Sequence, residues 1–132
     1  MKRLLFVCVE NSCRSQIAEA FARIYDKGGL EIYSAGSRPS GKVNSKAIES
    51  MREVGYDLAR HSSKSLAEIP PVEYDFVVTM GCGDECPWVR AKQREDWKIE
   101  DPKNVSPEQF RKIRDEIEKK VKDVLSRIEG AT

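Results

Sequence analysis

The sequence predicts an α/β fold, a single doubly wound open sheet of four parallel strands flanked by helices. Three observations lead to this prediction. The apolar run Leu4–Val9 is typical of a strand buried on both faces of a parallel sheet. Segments of strand and helix character alternate along the chain, and an apolar stripe of helical period fills the C-terminal region. The length of 132 residues predicts one domain, residues 1–132, with no internal boundary.

The first half of the chain is predicted to contain two strand–helix units. In the first unit, the strand Leu4–Val9 leads into a helix that ends at the glycine pair 28–29. The second unit has a strand at residues 30–35 and a helix at residues 45–54. The segment between them, GSRPSGKV at 36–43, lacks the Ser or Thr of a nucleotide-binding loop and is interpreted as a plain βα loop. The side chains expected on the buried helix faces are Ile17, Phe21 and Ile24 in the first helix and Ile48, Met51 and Val54 in the second.

The second half of the chain is predicted to contain two short strands and one long helix. The strands are residues 75–79 and residues 97–99. The helix begins at Ser106, because the sequence Ser-Pro-Glu-Gln is a capping-box start with proline at the first helical position. Right-handed crossovers between such units produce a doubly wound sheet. The buried stripe of the last helix is expected to consist of Phe110, Ile113, Ile117, Val121, Val124 and Ile128.

The composition excludes several classes of protein. Charged residues make up 34% of the chain but nearly cancel, to a formal net charge of +1, so neither nucleic acid nor a membrane surface is an expected partner. The N-terminal apolar run is too short for an export signal, which predicts a cytoplasmic protein, and we expect it to be a monomer. In a reducing compartment, four cysteines are expected to serve catalysis, redox chemistry or metal binding.

The segment CVENSCRS, residues 8–15, joins the first strand to the first helix. Open α/β sheets bind ligands at the carboxyl ends of their strands, where Cys8 is expected to lie. The backbone amides of such a loop, together with the first turn of the following helix, form a site for a tetrahedral oxyanion. The loop residues expected to surround this anion are Glu10, Asn11, Ser12, Cys13 and Arg14.

The side chains of this loop suit nucleophilic catalysis. The amides would stabilise the thiolate of Cys8, Arg14 would bind two oxygens of the anion, and Ser15 would donate a hydrogen bond to the sulfur. The alternative is a buried strand cysteine followed by a solvated arginine. The order of strand end, cysteine, arginine, serine and helix favours the catalytic interpretation.

The stretch CVENSCRSQIAEAF resembles the C-x5-R signature of the low-molecular-weight protein tyrosine phosphatases, and its NSCRSQ-x-AE part resembles the thioredoxin-coupled arsenate reductases that share this fold. The resemblance continues through SAG at 34–36, VVTMGCGDECP at 77–87 and WKIEDPKN at 97–104, and so spans essentially the whole chain. It implies a low-molecular-weight phosphatase-like fold. One difference is Glu10, because the family usually has glycine at this position.

The resemblance implies an arsenate reductase that acts in arsenical resistance, with phosphate as an analogue of its substrate. In the implied relay, Cys8 attacks arsenic, Cys82 attacks Cys8 and releases arsenite, and Cys86 then attacks Cys82. The resemblance also implies thioredoxin as the reductant of the resulting redox-active disulfide. The interval between Cys82 and Cys86 is shorter than is usual in the family, but one helical turn brings two Cα atoms to about 6 Å, within bridging range.

Two further features are implied by the resemblance. The family's catalytic acid precedes a proline, as Asp101 precedes Pro102, so Asp101 is expected to protonate the leaving oxygen. Some relatives bind potassium beside the loop, where Lys64 replaces their acidic residue. Its ammonium is expected to take the place of the cation and to pair with Glu19, which predicts no potassium dependence, and the alternative is a solvated lysine. We also expect no cofactor. The residues expected to support the loop are Asn11, Glu19, Ser34, Ser62 and Lys64.

Two alternative functions remain open at the level of sequence. One is a phosphomonoester hydrolase in which Cys82 and Cys86 are incidental. The other is a thiol module that binds zinc or senses oxidation, although two cysteines supply only half of a zinc shell, and we expect no metal. Cys13 is interpreted as a packing residue or as a protective disulfide partner for Cys8, and His61 as a satisfied or exposed histidine.

Overall fold

The computed structural model describes residues 2–81 and 89–130. In this part of the chain, three α-helices accompany one sheet of four parallel strands, which confirms the predicted fold class. No helix of the described ranges is long and apolar enough to cross a membrane. The elements are β1 (Lys2–Cys8), α1 (Arg14–Tyr25), β2 (Leu30–Gly36), α2 (Ser45–Arg52), β3 (Tyr74–Met80), β4 (Ala91–Trp97) and α3 (Pro107–Gly130), with 3-10 turns at Leu58–Arg60, Leu66–Glu68 and Pro102–Asn104.

The strand order β2-β1-β3-β4 places β1 inside the sheet. The side chains of Leu4 and Phe6 pack with residues of the three helices, whereas those of Leu5 and Val7 belong to a second apolar cluster on the opposite face. The winding reverses between β1 and β3, and such a reversal is where open α/β sheets bind ligands. Cys8, the last residue of β1, lies at this point.

Helix α3 carries the predicted apolar stripe. Ser106 Oγ accepts a hydrogen bond from the Gln109 amide at 3.2 Å, as expected of a residue that caps the helix. The Gln109 side-chain amide donates to the Glu100 carboxylate at 3.0 Å, which ties the start of α3 to the preceding segment. The stripe residues are all at most 7% exposed: Phe110, Ile113, Ile117, Val121, Val124 and Ile128.

The fourth strand differs from the prediction. It spans Ala91–Trp97 rather than residues 97–99, so the sequence predicted only its last residue. β4 is an edge strand that pairs with β3, and most of its side chains are exposed or half-buried. An edge strand tolerates charged side chains, and the sequence KQRED therefore shows no apolar strand pattern.

Two apolar side chains that were expected on buried helix faces are exposed. Ile24 is 40% exposed because it lies in the last turn of α1. Val54 is 41% exposed because α2 ends two residues earlier. The remaining residues of these faces are closer to the prediction, since Ile17, Phe21 and Met51 are buried and Ile48 is half-buried against the core.

Candidate active site

Hydrogen bonds to carbonyl oxygens hold the loop that follows β1, residues 8–14, which we call the anion loop. Four of the donors are backbone amides of the segment between β2 and α2, so this segment braces the anion loop. None of these bonds uses an amide of the anion loop as its donor, which is the arrangement that an anion site requires. The amides of Ser37, Arg38, Ser40 and Asn44 donate to the carbonyls of residues 8, 9, 10 and 12, at 3.3, 2.8, 3.0 and 2.8 Å respectively.

Asn11 forms the turn in the middle of the anion loop. Its φ of 49° is in the left-handed region, which asparagine tolerates better than most residues. Its buried Nδ2 donates to Ser15 Oγ at 2.8 Å and to Ser34 Oγ at 3.0 Å. Its Oδ1 accepts a hydrogen bond from the Lys64 amide at 2.9 Å. Asn11 therefore connects the anion loop with β2 and with the segment that precedes the second 3-10 turn.

Gly36, the last residue of β2, allows the anion loop to approach the sheet closely. A Cβ atom on residue 36 would lie 2.6 Å from the Val9 carbonyl oxygen and 2.9 Å from the Asn11 amide nitrogen. Both neighbours are backbone atoms that cannot move away without distorting the loop. The position therefore requires glycine.

Cys8 lies at the bottom of the anion loop. It is 3% exposed, and its Sγ is 2.8 Å from Ser15 Oγ. Because Ser15 Oγ already accepts a hydrogen bond from Asn11 Nδ2, its own proton can be donated to the sulfur. A hydroxyl that donates to sulfur stabilises the thiolate, which is the form that attacks electrophiles.

A cavity of about 240 Å³ opens at Cys8. Among the residues that the structure describes, no side chain caps the N-terminus of α1. The first-turn amides therefore add partial positive charge beside the cavity. Two arginines and two carboxylates also line the cavity, so its attraction for a small anion comes from the arginines together with the first-turn amides. Residues that line it include Cys8, Glu10, Arg14, Arg38, Gly81 and Asp101.

Arg14 and Asp101 form the charged wall of this cavity. Arg14 Nη1 donates to the Ile99 carbonyl at 3.0 Å, and Arg14 Nη2 lies 3.9 Å from Asp101 Oδ2. The Arg14 side chain is 12% exposed, whereas that of Asp101 is 55% exposed. The Asp101 carboxyl group is therefore accessible to solvent, while Arg14 is held against the protein.

The second cysteine of the anion loop has a different electrostatic environment. Burial raises the pKa of Cys13 far above its ordinary value, and the charges of Cys8 and Asp101 raise it further, against the opposing effect of Arg14. The Cys13 thiol is therefore protonated at neutral pH. This state fits a packing residue better than a nucleophile.

A chain of hydrogen bonds supports Asn11 from within the protein. Gln16 Nε2 donates to the carbonyl oxygen of Asn11 at 3.0 Å and to its Oδ1 at 2.9 Å. Gln16 Oε1 then accepts from His61 Nδ1 at 2.9 Å, which leaves His61 Nε2 to accept from the Tyr56 hydroxyl at 2.7 Å. Gln16 is not among the residues predicted from the sequence. The available signal was a glutamine among the apolar, buried positions of α1.

Glu19 is a buried carboxylate that meets two cations. Its Oε1 accepts from Ser34 Oγ at 2.5 Å and lies 3.9 Å from Lys64 Nζ. Its Oε2 accepts from Arg23 Nε at 2.8 Å. Lys64 Nζ also donates to the Ser62 carbonyl at 3.1 Å. The structure therefore brings together the residues that the sequence nominated to support the anion loop.

The two cysteines of the expected relay, Cys82 and Cys86, lie outside the described residues. Gly81, which precedes Cys82 directly, lines the cavity. Within residues 2–81 and 89–130, no group of three or more His, Cys, Asp or Glu side chains could hold a metal ion.

His61, the single histidine of the sequence, provides a test of the supporting network. Burial lowers its pKa below the ordinary value of 6.5, against the opposing effect of the Glu19 carboxylate. The folded protein therefore keeps His61 neutral at a pH where the unfolded chain already binds a proton. The contribution of His61 to stability should be constant above about pH 6.5 and should fall as the pH drops from there towards the lower folded-state pKa. An NMR titration of the imidazole and urea unfolding at several pH values measure both effects.

The control for this titration is His61→Gln, which has no ionisable group at this position. Its unfolding free energy should lack the part of the pH dependence that His61 contributes. An imidazole titration midpoint at or above 6.5 in the folded protein would contradict the buried, neutral histidine.

Lys64 provides a test of the expected independence from potassium. Its ammonium lies near the Glu19 carboxylate, so the folded protein should have the same melting temperature in KCl and in NaCl at equal ionic strength. Lys64→Ala removes this charge, and the variant should gain thermal stability from KCl but not from NaCl. The matched control is Lys27→Ala, at an exposed lysine in the turn after α1. A potassium-specific stabilisation of the wild-type protein would refute the replacement of the cation by Lys64.

Comparison with known proteins places the chain among arsenate reductases and phosphatases. Residues 3–131 match the family model described as low molecular weight phosphotyrosine protein phosphatase. The chain is similar to the glutaredoxin arsenate reductase of Synechocystis sp., with 38% identity over 131 residues that cover 97% of this chain and 99% of the relative. It is also similar to an arsenate reductase of Staphylococcus aureus (strain Newman), with 37% identity over 130 residues that cover 96% of this chain and 98% of the relative.

Solved structures show the same similarity. An arsenate reductase in the phosphate binding state superposes with a TM-score of 0.86 and 38% identity, over 97% of this chain and 99% of that one. A thioredoxin-dependent arsenate reductase of Corynebacterium glutamicum superposes with a TM-score of 0.81 and 30% identity, over 100% of this chain and 64% of that one. The match of residues 3–131 shows that the chain belongs to the low molecular weight phosphotyrosine protein phosphatase family.

Proposed function

We propose that the protein is an arsenate reductase that converts arsenate to arsenite through a relay of Cys8, Cys82 and Cys86. The observation that carries this proposal is the position of Cys8 Sγ, 2.8 Å from Ser15 Oγ in a cavity that Arg14 also lines. The names of the near-full-length relatives support the same activity.

In the first step, the Cys8 thiolate attacks the arsenic atom of bound arsenate. An S–As bond forms, an As–O bond breaks, and the departing oxygen takes up protons and leaves as water. Arg14 and the loop amides stabilise the negative charge on the remaining oxygens. Asp101 is the proposed proton donor, and its exposed carboxyl group can be protonated again from solvent.

In the second step, Cys82 attacks the Cys8 sulfur. The electron pair of the S–As bond stays with arsenic, which is thereby reduced from As(V) to As(III) and leaves as arsenite. The product on the protein is a disulfide between Cys8 and Cys82. Cys86 then attacks Cys82, which returns Cys8 to the thiolate and leaves a disulfide between Cys82 and Cys86. The net reaction consumes two thiols and releases water, arsenite and one disulfide.

An external dithiol must reduce this disulfide before the next turnover. We propose thioredoxin as this reductant, because the two vicinal thiols of a thioredoxin-type protein can attack and then resolve the mixed disulfide without a third molecule. The relay also needs reduced thiols at rest, which supports a cytoplasmic location.

A second candidate function is hydrolysis of phosphomonoesters. The specific observation in its favour is that Cys8, Arg14 and Asp101 by themselves supply a nucleophile, an anion-binding cation and a proton donor around one cavity. Phosphate and arsenate have the same tetrahedral shape and charge. The same cavity would therefore accept a phosphoryl group, and Cys82 and Cys86 would be dispensable for its hydrolysis.

The substitution Cys82→Ser distinguishes the two functions. It should lower steady-state arsenate reduction by at least ~100-fold, because the arsenic adduct on Cys8 cannot be resolved, and should leave any hydrolysis of para-nitrophenyl phosphate unchanged. Cys8→Ser is the control, since it should remove both activities. Both rates can be measured on the same protein preparations.

Disulfide mapping by mass spectrometry completes this experiment. One turnover with arsenate in the absence of reductant should leave a bridge between Cys82 and Cys86 in the wild-type protein. The Cys86→Ser variant should have no bridge between these positions. Free thiols at both positions after arsenite release would exclude the relay.

The identity of the reductant is tested by reconstituting two complete reducing systems and comparing the turnover that each supports. Turnover with thioredoxin, thioredoxin reductase and NADPH should exceed turnover with glutathione, glutaredoxin and glutathione reductase by at least ~10-fold, because thioredoxin supplies both thiols from one molecule whereas each glutathione supplies one. Equal or faster turnover with the glutathione system would instead identify glutaredoxin as the reductant, which is the one in the name of the Synechocystis relative.

A further inference from the structure

We infer that Gly81 is a positioning residue for Arg14, and that the absence of a side chain at position 81 sets the affinity of the cavity for its oxyanion. The inference deepens the proposed function and rests on it for the identity of the natural anion. The contact on which it depends, between the Arg14 guanidinium and Gly81, can be tested with phosphate alone.

Gly81 follows directly after β3 and lines the cavity. Its φ of 72° is in the left-handed region, where a side chain is strained. An ideal Cβ atom on this residue would lie 2.2 Å from Arg14 Nη1 and 3.1 Å from Arg14 Cζ. The guanidinium therefore occupies the space that any side chain at position 81 would need.

The guanidinium cannot move aside without losing its contacts. An ordinary contact of about 3.5 Å with the new Cβ would require Nη1 to shift by more than about 1 Å. Nη1 donates to the Ile99 carbonyl at 3.0 Å, and Nη2 lies 3.9 Å from Asp101 Oδ2. A shift of this size would break the first contact and would misplace the cation relative to the anion.

This arrangement predicts an effect on binding that exceeds the effect on folding. Arg14 is a flexible side chain, so a protein with a methyl group at position 81 can still fold when the guanidinium swings away. The oxyanion loses its planar, two-point contact in the same event, and such a charge-assisted contact depends strongly on geometry.

Gly28 offers a matched control for the cost of the backbone conformation. Its φ of 95° is also in the left-handed region, but an added Cβ would meet no heavy atom within 4 Å. Gly28→Ala therefore carries the strain of the left-handed backbone without the collision. A difference in phosphate affinity between Gly81→Ala and Gly28→Ala therefore reports on the contact with Arg14.

The experiment measures the dissociation constant of inorganic phosphate by isothermal titration calorimetry or NMR titration on the reduced, full-length protein. Gly81→Ala should weaken phosphate binding by roughly 10- to 100-fold, the usual effect of losing a hydrogen bond to a charged group. Gly28→Ala should bind phosphate as the wild type does, although its melting temperature should fall by a few degrees, as that of Gly81→Ala does. Unchanged affinity in Gly81→Ala, or an equal loss in Gly28→Ala, would overturn the inference.

A double variant covers the case in which Gly81→Ala does not fold. Arg14→Ala removes the colliding group, so Arg14→Ala/Gly81→Ala should fold and should lose no more thermal stability relative to Arg14→Ala than Gly28→Ala loses relative to the wild type. If the second substitution remains as damaging without Arg14, the glycine serves the backbone alone and the inference fails.

These outcomes are independent of arsenate chemistry. A protein that binds phosphate in a Gly81-dependent manner but does not reduce arsenate would retain the inference and lose the proposed function. A protein that reduces arsenate while Gly81→Ala binds phosphate normally would retain the function and lose the inference.

Discussion

The site depends on the hydrogen bonds that engage the carbonyl oxygens of the anion loop. A carbonyl that faced the cavity would repel an oxyanion, whereas amides and guanidinium groups attract one. Four backbone donors of residues 37–44 hold those carbonyls, and Gly36 lets the two backbones approach closely enough for this to happen. The segment GSRPSGKV, which resembles a phosphate-binding loop without its final hydroxyl, therefore acts as a brace for the anion loop in front of it.

Local sequence was sufficient to predict the central unit of the fold. A buried strand, a loop and a helix follow one another within residues 2–25, so the pattern of apolar residues defines each boundary to within a few positions. β4 was missed because its stabilisation comes from pairing with β3 at the sheet edge, where no apolar alternation is needed. The ends of α1 and α2 were overextended because an apolar residue in a last turn does not have to be buried, as Ile24 shows.

The geometry of the candidate site was less accessible from sequence, because its key contacts join distant positions. The Arg14 guanidinium binds a carbonyl 85 residues further along the chain, and Gln16 binds His61 across 45 residues. Neither contact produces a periodic pattern of residues in the sequence. The order of residues along the chain was enough to nominate the charged and nucleophilic candidates, whereas the roles proposed for Gln16 and Gly81 depend on where the fold brings other residues.

The environments of the two cysteines in the anion loop distinguish Cys8, the proposed nucleophile, from Cys13. Cys8 and Cys13 are both buried, so burial alone does not distinguish them. Cys8 Sγ has a hydroxyl donor in Ser15, and that donor is oriented by Asn11, which Gln16 holds in turn. Cys13 instead experiences the negative charge of Cys8, and its pKa rises for this reason as well as through burial. A protonated Cys13 adds no negative charge to the loop, so the positive potential of Arg14 and the loop amides stays directed at Cys8 and its ligand.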